Sequence, residues 1–431
     1  MWMLLVIVLL TACSDHSGES SDEKDDCFLN IYVYAPERPM LTRADVGDIV
    51  SRSVEEHMVH TLQIWVFKHV DGSLVGYLET EPTFLNETNG QEMFQMKVDK
   101  EFADHPVNVD VYVVANAYVL PDNYDKFINC NTNYDLTYID NNNNGVTLTL
   151  GESTTRAQLE GAKIGEGSFG VKQKEETENV YIPAVSSVPA AGLPMSGVLK
   201  NQPIYGSYPT LRVGTQDAMA TLQLTRAVSK LRFVLCRKKE KETPKKKLVS
   251  IDEIQLNNGV TSNTSCQIPK ESYLMPVATP SYSSYVSTAI NYGSVEKNDI
   301  PEVPNPMVYA YETQSAQEYE NLINNAINHK NAQDESEPLL KELGLTYLRE
   351  SDKKLTGTIK YTVQELEENV WETKEKTATF SMADPGDFLR NHSWIVYVFY
   401  MDATIYTLTV TNIGMKSWAS GGYEEKSVYN W

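Results

Sequence analysis

Three glycines in IGEGSFGVK (164–172), namely Gly165, Gly167 and Gly170 with Val171 close behind, are spaced as they are where a backbone approaches a triphosphate. That chemistry needs partners the chain does not supply. A phosphate-covering kinase loop carries its valine two residues after the third glycine and leads into a strand lysine that pairs the phosphates. Here Val171 follows Gly170 directly, and the next run, QKEETENVYIPAVSS, has no lysine in a Val-Ala-Ile-Lys context. There is no His-Arg-Asp triplet, and Asp387-Phe388 continues into Leu389 rather than glycine. The stretch therefore reads as a glycine-rich surface turn between two strands.

Other candidate chemistries fail in the same way. Asp140, Asn142, Asn144 and Gly145 copy the opening of a calcium loop, but its twelfth position falls on Gly151 instead of a bidentate glutamate, and VTLTL afterwards is strand-like. A hairpin turn is the expectation there. His57 and His60 stand three apart with no neighbouring Cys or His to complete a tetrahedral metal set, and read as surface or strand-edge histidines. Neither a G-x-S-x-G elbow nor an HExxH helix occurs. A paired-carboxylate glycosidase leaves no local signature, because its two acids can lie far apart in the chain. The reading is a non-enzyme with no metal and no cofactor.

The elements around these residues are mostly strands. Apolar runs of period two, or continuous ones rich in β-branched and aromatic residues, recur at 28–35, 60–68, 107–117, 146–150, 220–235, 354–363, 392–401 and 404–413, with turn clusters such as DNNNNG and ASGG between them. This spacing predicts all-β, antiparallel β-sandwich domains. Helical spacing is confined to 317–330 and 338–344, expected to pack on one face of a second domain. The basic run RKKEKETPKKK (237–247) is read as a solvated hinge between two domains, 44–237 and 238–431.

Composition and the first residues bear on location. With 431 residues the chain is long enough for two or three cores, and a net charge of −21 disfavours nucleic acid as a partner, which would need a basic face. MWMLLVIVLL is too short to span a bilayer as a helix but suits a signal-peptide core. The Leu10-Thr11-Ala12-Cys13 that comes next resembles the bacterial lipobox, which implies lipidation of Cys13 and a signal peptide over 1–13. Residues 14–26, rich in Ser, Asp and Glu, read as a tether. Once Cys13 carries lipid, Cys27, Cys130, Cys236 and Cys266 remain, and a bridge such as Cys236 to Cys266 stays open.

A set of short motifs then occurs in order: the lipobox, an early strand, Thr42-Arg43-Ala44, Leu193-Pro194-Met195-Ser196-Gly197, Thr225-Arg226-Ala227-Val228-Ser229-Lys230-Leu231, and Arg390-Asn391-His392-Ser393-Trp394. In this order the chain resembles the fimbrillins, lipoprotein-derived subunits of type V pili, over nearly its whole length except 237–380. The resemblance implies two transthyretin-like sandwiches, export to the outer membrane by a lipid anchor, and removal of a prosegment (14–43) by an Arg-specific protease. The scissile bond it implies joins Arg43 to Ala44, with Arg52 as the fallback. It also implies donor-strand exchange with other subunits of the family, and adhesion to a host glycan or protein receptor. A tip or anchor adhesin, or a glycan-binding surface lipoprotein, is the alternative.

The residues carry part of this independently. Leu29, Ile31, Val33 and Ala35 fall on one face of a strand, Asn30, Tyr32 and Tyr34 on the other. Pro36 and Pro39 after it cannot continue a ladder. A donor segment is expected somewhere in 404–431: Tyr406, Leu408 and Val410 share a face, and Trp418, Val428 and Trp431 can plug pockets. The competing expectation is that 404–413 is the last strand of the second sandwich and the tail folds back on its own subunit. Arg226 and the RNHSW stretch are expected to be structural.

Overall fold

The computed structural model describes residues 26–35, 56–86, 90–117, 136–165, 171–173, 181–183, 188, 192–240, 244–257, 269, 271–277, 279–282, 290–306, 316–327, 339–352, 356–381, 389–401, 403–412 and 427–430. Cys13, Arg43, Ala44, Arg52, Cys130, Cys266, Trp418 and Trp431 lie outside them.

In the first half, five strands come first: β1 (Cys27–Tyr34), β2 (Leu62–Lys68), β3 (Leu74–Thr80), β4 (Gln91–Val98) and β5 (Asn108–Ala115). β5, β2 and β3 form one antiparallel layer, with the long strand Met195–Ser207 paired to β5. That strand is bulged between Leu199 and Gln202, where Asn201 adopts a φ of 55°, and beyond the bulge it leaves β5 to pair with Thr210–Val213 in a second layer. A bulge that turns one strand from sheet to sheet is how a sandwich makes a corner.

The second layer is built around β1. β1 runs antiparallel to β4 on one side and parallel to Thr210–Val213 and Thr221–Gln223 on the other. Alternate residues of β1 enter the core shared with the first layer. β2 and β5 are apolar without alternation because both their faces are covered. The helix Arg156–Gly161, opened by a capping box in which Thr155 and Gln158 each satisfy the other's backbone, adds Leu159 to the same core.

In the second half, Val228–Lys238 lies between Lys341–Arg349, antiparallel, and Ser393–Met401, parallel, with Thr404–Asn412 and then Ser427–Asn430 beyond. Leu231, Phe233 and Leu235 face a second sheet whose Lys246–Asn257, Thr356–Glu367 and Val370–Ser381 strands supply Ile254, Leu256, Ile359, Val363 and Phe380. Val234, Cys236, Ile395, Tyr397 and Phe399 point the other way, under the helix Ala316–Ile327. Both faces of Ser393–Met401 are thus covered, which accounts for its unbroken apolar run.

Several expectations change here. The sheets are mixed rather than antiparallel: the strand that opens each half has a parallel neighbour on one side. The helical spacing at 338–344 is misleading. Lys341–Arg349 is a strand, because one flank of Val228–Lys238 offers it a ladder and tertiary pairing overrides a short helical pattern. Helix Ala316–Ile327 matches the other helical segment. Sheet membership changes between Arg226 and Val228, ahead of the basic run where a hinge was expected. The two ends of that run are ladder instead: Arg237 and Lys238 pair with Glu302 and Val303, and Lys246 and Lys247 with Glu365 and Gln364. His57 is buried, not a surface residue. Cys236 is a free thiol hydrogen-bonded to the Tyr397 hydroxyl at 2.8 Å, so no Cys236–Cys266 bridge forms.

The calcium-like loop is the expected hairpin. Leu136–Ile139 pairs antiparallel with Gly145–Thr147, Asp140 accepts from the amides of Asn142 (2.9 Å) and Asn144 (2.7 Å), and Asn143 takes the left-handed conformation at φ 64°. Among the described residues no cluster of His, Cys, Asp and Glu has metal-binding geometry. Within IGEGSFGVK, Gly165 follows a short strand and Val171 opens another, while 166–170 fall outside the described residues.

Candidate functional site

The candidate site is the slot occupied by β1. Leu29, Ile31 and Val33 are at most 1% exposed, with Cys27 and Ala35 buried at the two ends. The alternation read from the sequence is therefore the alternation in the fold, and Phe28, Asn30, Tyr32 and Tyr34 turn to the half-buried outer face. Across the ladder, Leu29 faces Met96, Ile31 faces Phe94 and Cys27 faces Val98; on the other flank Leu29 meets Leu211 and Val33 meets Leu222. All these partners are apolar and buried; on the β4 flank Val33 lies opposite Glu92.

Because β1 is a middle strand, its main chain is held from both sides. Beyond the ladders, the Phe28 amide donates to the Pro209 carbonyl at 2.9 Å, and the Leu224 amide donates to the Tyr34 carbonyl at 2.9 Å. On the outer face, Gln95 donates to the Asn30 side chain at 3.2 Å, and Lys97 pairs with Asp26. Taking β1 away would expose two rows of backbone N–H and C=O groups and an apolar trough between them. Burial raises the pKa of the Cys27 thiol, which disfavours the nucleophilic thiolate while the strand is seated.

A second cluster lies where the chain re-enters the described fold, at Glu56. Its carboxylate takes a hydrogen bond from the Tyr347 hydroxyl at 2.6 Å and an ion pair from Lys230 at 2.8 Å, while its carbonyl accepts from Arg226 Nε at 2.9 Å. Burial opposes ionisation of Glu56, but Lys230, with help from Tyr347 and Arg226, outweighs it and holds the pKa at about 2. Arg226 also donates to the Asn391 side chain at 3.0 Å.

Three of the sequence motifs meet at this same place, where the two halves join. Met195 and Ser196 pair with Arg226 and Thr225. The Ala227 amide donates to the Pro194 carbonyl, the Asn391 amide to the Val228 carbonyl, and the Lys230 amide to the His392 carbonyl, at 2.9, 2.7 and 2.8 Å. Ser196 Oγ and Arg390 Nη1 both donate to the Leu274 carbonyl, at 2.6 and 2.9 Å. Arg390 is in turn paired with the buried Glu350 at 2.7 Å, and Tyr282 donates to that carboxylate at 2.8 Å. The role of Arg226 and RNHSW is structural, as expected, but it is a joint role: they fasten the two halves to each other and to Glu56. Sequence reading named Arg226, Lys230 and Arg390 inside motifs and missed Glu56, Tyr347 and Glu350, which no periodicity marks.

At the other end, the expected donor residues divide. Tyr406, Leu408 and Val410 lie in Thr404–Asn412, which is paired along its whole length with Ser393–Met401 and, over Thr407–Val410, with Ser427–Asn430. Ile405 is buried in one core and Tyr406 packs against the other. Val428 lies in Ser427–Asn430, which among the described residues has a neighbour on one side only. Ser427–Asn430 thus pairs with its own chain in this structure.

No family model matches the chain, and no curated protein matches it. Among solved structures, it is similar to a fimbrial assembly protein of Parabacteroides distasonis (TM-score 0.42, 12% identity, covering 94% of this chain and 99% of that one). It is also similar to the C-terminally truncated tip fimbrial protein Mfa3 of Porphyromonas gingivalis (0.40, 12%, 90% and 99%). A fimbrial protein of Bacteroides vulgatus is a third (0.40, 8%, 90% and 98%). Likenesses this distant do not by themselves assign a role to any residue of the chain.

Proposed function

We propose that this chain is the precursor of a structural subunit of a cell-surface fimbria, a non-enzyme whose first strand is replaced during assembly. One observation carries the reading: β1, the opening strand of the described chain, is a central strand of its sheet with an unbroken apolar inner face that runs from Cys27 to Ala35. The described residues from Glu56 onward are fastened separately, by the Glu56 cluster. Cutting the chain between these two fixed points separates β1 covalently from a body that keeps its own anchors.

On this reading Cys13 is lipidated for export to the outer membrane, and an Arg-specific protease cuts after Arg43, or after Arg52. The cut alone changes little while β1 stays bound. Burying Leu29, Ile31 and Val33 is worth about 1.5–3 kcal/mol each, so an empty slot is unfavourable by roughly 5–9 kcal/mol before ordering costs. A donor strand from a neighbouring subunit regains that, which drives polymerisation without a nucleotide. The contact is head to tail and does not close, so it grows a filament. Among the described residues Ser427–Asn430 has one ladder to break before donating and Thr404–Asn412 has two. The tail from residue 427 onward is therefore the favoured donor.

The test is to treat the purified full-length chain with an Arg-specific protease, sequence the new N-terminus, and follow ladder formation on unheated gels with and without residues 427–431. A new terminus at Ala44 and tail-dependent ladders are expected. Ladders of equal strength from the tail-deleted protein would refute the donor assignment.

A further inference from the structure

Val370–Ser381 is a 12-residue strand at the end of its sheet. It pairs along its whole length with Thr356–Glu367 and, among the described residues, with nothing on its other side. Trp371, Thr373, Thr377, Thr379 and Phe380 all favour extended backbone. A long end strand of this composition offers a row of free N–H and C=O groups to any other strand, the same strand of a second copy included.

Its inner face, however, is apolar at one end only. Phe380 is buried and Ala378 packs against the same core, opposite Gly357 and Ile359. The next two residues on that face are Lys376 and Lys374, opposite the buried Tyr361 and Val363. Lys376 donates to Glu365 at 2.5 Å and Lys374 at 3.3 Å, and Lys374 also reaches Glu367. Lys246 joins Glu365 at 3.1 Å from the strand on the other flank. The side chains of Lys374 and Lys376 stay 34% and 31% exposed, so water still reaches both cations. A strand laid alongside Val370–Ser381 would extend the inner face over them and strip that water away. Ser427–Asn430 differs: it too has a neighbour on one side only among the described residues, yet none of its four residues is charged.

We propose that Lys374 and Lys376 close the Val370–Ser381 edge to strand addition by other copies of this chain. Copies can then meet by strand addition elsewhere without also joining side by side along this edge. The inference goes beyond the strand-replacement reading and holds whether or not β1 is exchanged. General charge repulsion predicts the opposite outcome when the lysines are removed. The chain carries a net charge of −21, so losing lysines makes it more acidic and should keep copies further apart. A guarded edge that loses its lysines should instead bring them together.

The experiment compares the uncut full-length chain with the double variant Lys374→Thr, Lys376→Thr. The control is Glu375→Thr, which makes the chain less acidic on the exposed outer face of the same strand. Lys376→Thr alone is a milder variant that leaves Lys246 and Lys374 on Glu365. Association is read by light scattering over a concentration series, and its location by hydrogen exchange of residues 370–381. The double variant should associate at concentrations at least about 10-fold below wild type, with exchange over 370–381 slowing as concentration rises. Lys376→Thr should shift in the same direction, and Glu375→Thr should match wild type. If the double variant loses its near-ultraviolet circular dichroism, the single variant decides. Lysine variants that keep the native spectrum and associate no more readily than wild type would overturn the proposal. Association that leaves exchange over 370–381 unchanged would overturn it too. Neither result bears on strand replacement, because the chain is never cut.

Discussion

Ile31→Ala separates a replaceable strand from an ordinary core strand. Ile31 is 1% exposed and sits mid-strand opposite Phe94, so truncation leaves a cavity that costs about 2–5 kcal/mol. In the intact precursor this lowers the stability of the first half, read as a fall in the urea midpoint. After the Arg-specific cut the same deficit weakens retention of the severed strand, by roughly 30- to 4,000-fold in the equilibrium constant. Once a donor strand has replaced β1, the substitution is no longer in the assembly, and polymers made from wild-type and Ile31→Ala precursors should unfold alike. Asn30→Ala, which loses only the outer-face hydrogen bond from Gln95, should stay within about 1 kcal/mol of wild type throughout. The assay is size-exclusion chromatography of cut protein, with mass spectrometry of the released fragment. Retention of the Ile31→Ala fragment equal to that of wild type, or assembled material that keeps the stability defect, would refute the reasoning.

The same contacts set other expectations. Lys230→Met leaves the Glu56 carboxylate buried against fewer donors and should cost about 3–5 kcal/mol in equilibrium unfolding, with part regained in the Lys230→Met, Glu56→Gln double variant. Because the folded-state pKa of Glu56 is depressed to about 2 from 4.5, its contribution is complete above pH 4.5 and is lost as pH falls toward 2; stability measured over that range should fall less steeply in Glu56→Gln. Arg390→Met removes a buried partner of Glu350 and two hydrogen bonds to the Tyr273–Leu274 carbonyls, so thermal unfolding should shift down by several degrees. Cys27 should resist alkylation in the intact chain and react once β1 is displaced, as seen by the mass of the fragment that carries it.

What the sequence conveyed was whatever had a short period. Leu29, Ile31 and Val33 alternate, so the inner face of β1 was legible without any structure. The direction of its neighbours was not: nothing local to β1 says that Thr210–Val213 and Thr221–Gln223 run parallel to it. The run at 220–235 looked like one strand and is three, because Leu224 and Ala227 hand the chain from one sheet to the next through bonds to Tyr34 and Pro194. Leu339, Leu340 and Leu343 mimic helical spacing, while Leu345 and Tyr347, just beyond, belong to the strand that actually forms. The Glu56 cluster was illegible for a different reason. Its partners, Arg226 and Tyr347, lie 170 and 291 residues away, and single charged residues at such separations carry no pattern until the fold assembles them.

The shared logic of the two clusters is a division of labour. One holds β1 chiefly by packing and ladders; the other ties the two halves together by buried charge and hydrogen bonds at their joint. On the proposed function, such a molecule loses β1 without losing its body, provided something refills the slot. The most direct measurement is therefore the peptide composition of SDS-resistant polymers excised from an unheated gel and analysed by mass spectrometry. Residues 27–35 should be absent from the polymer and present in the monomer band, whereas residues 56–68 should be present in both. Polymers that retain residues 27–35 in equal amount would contradict strand replacement.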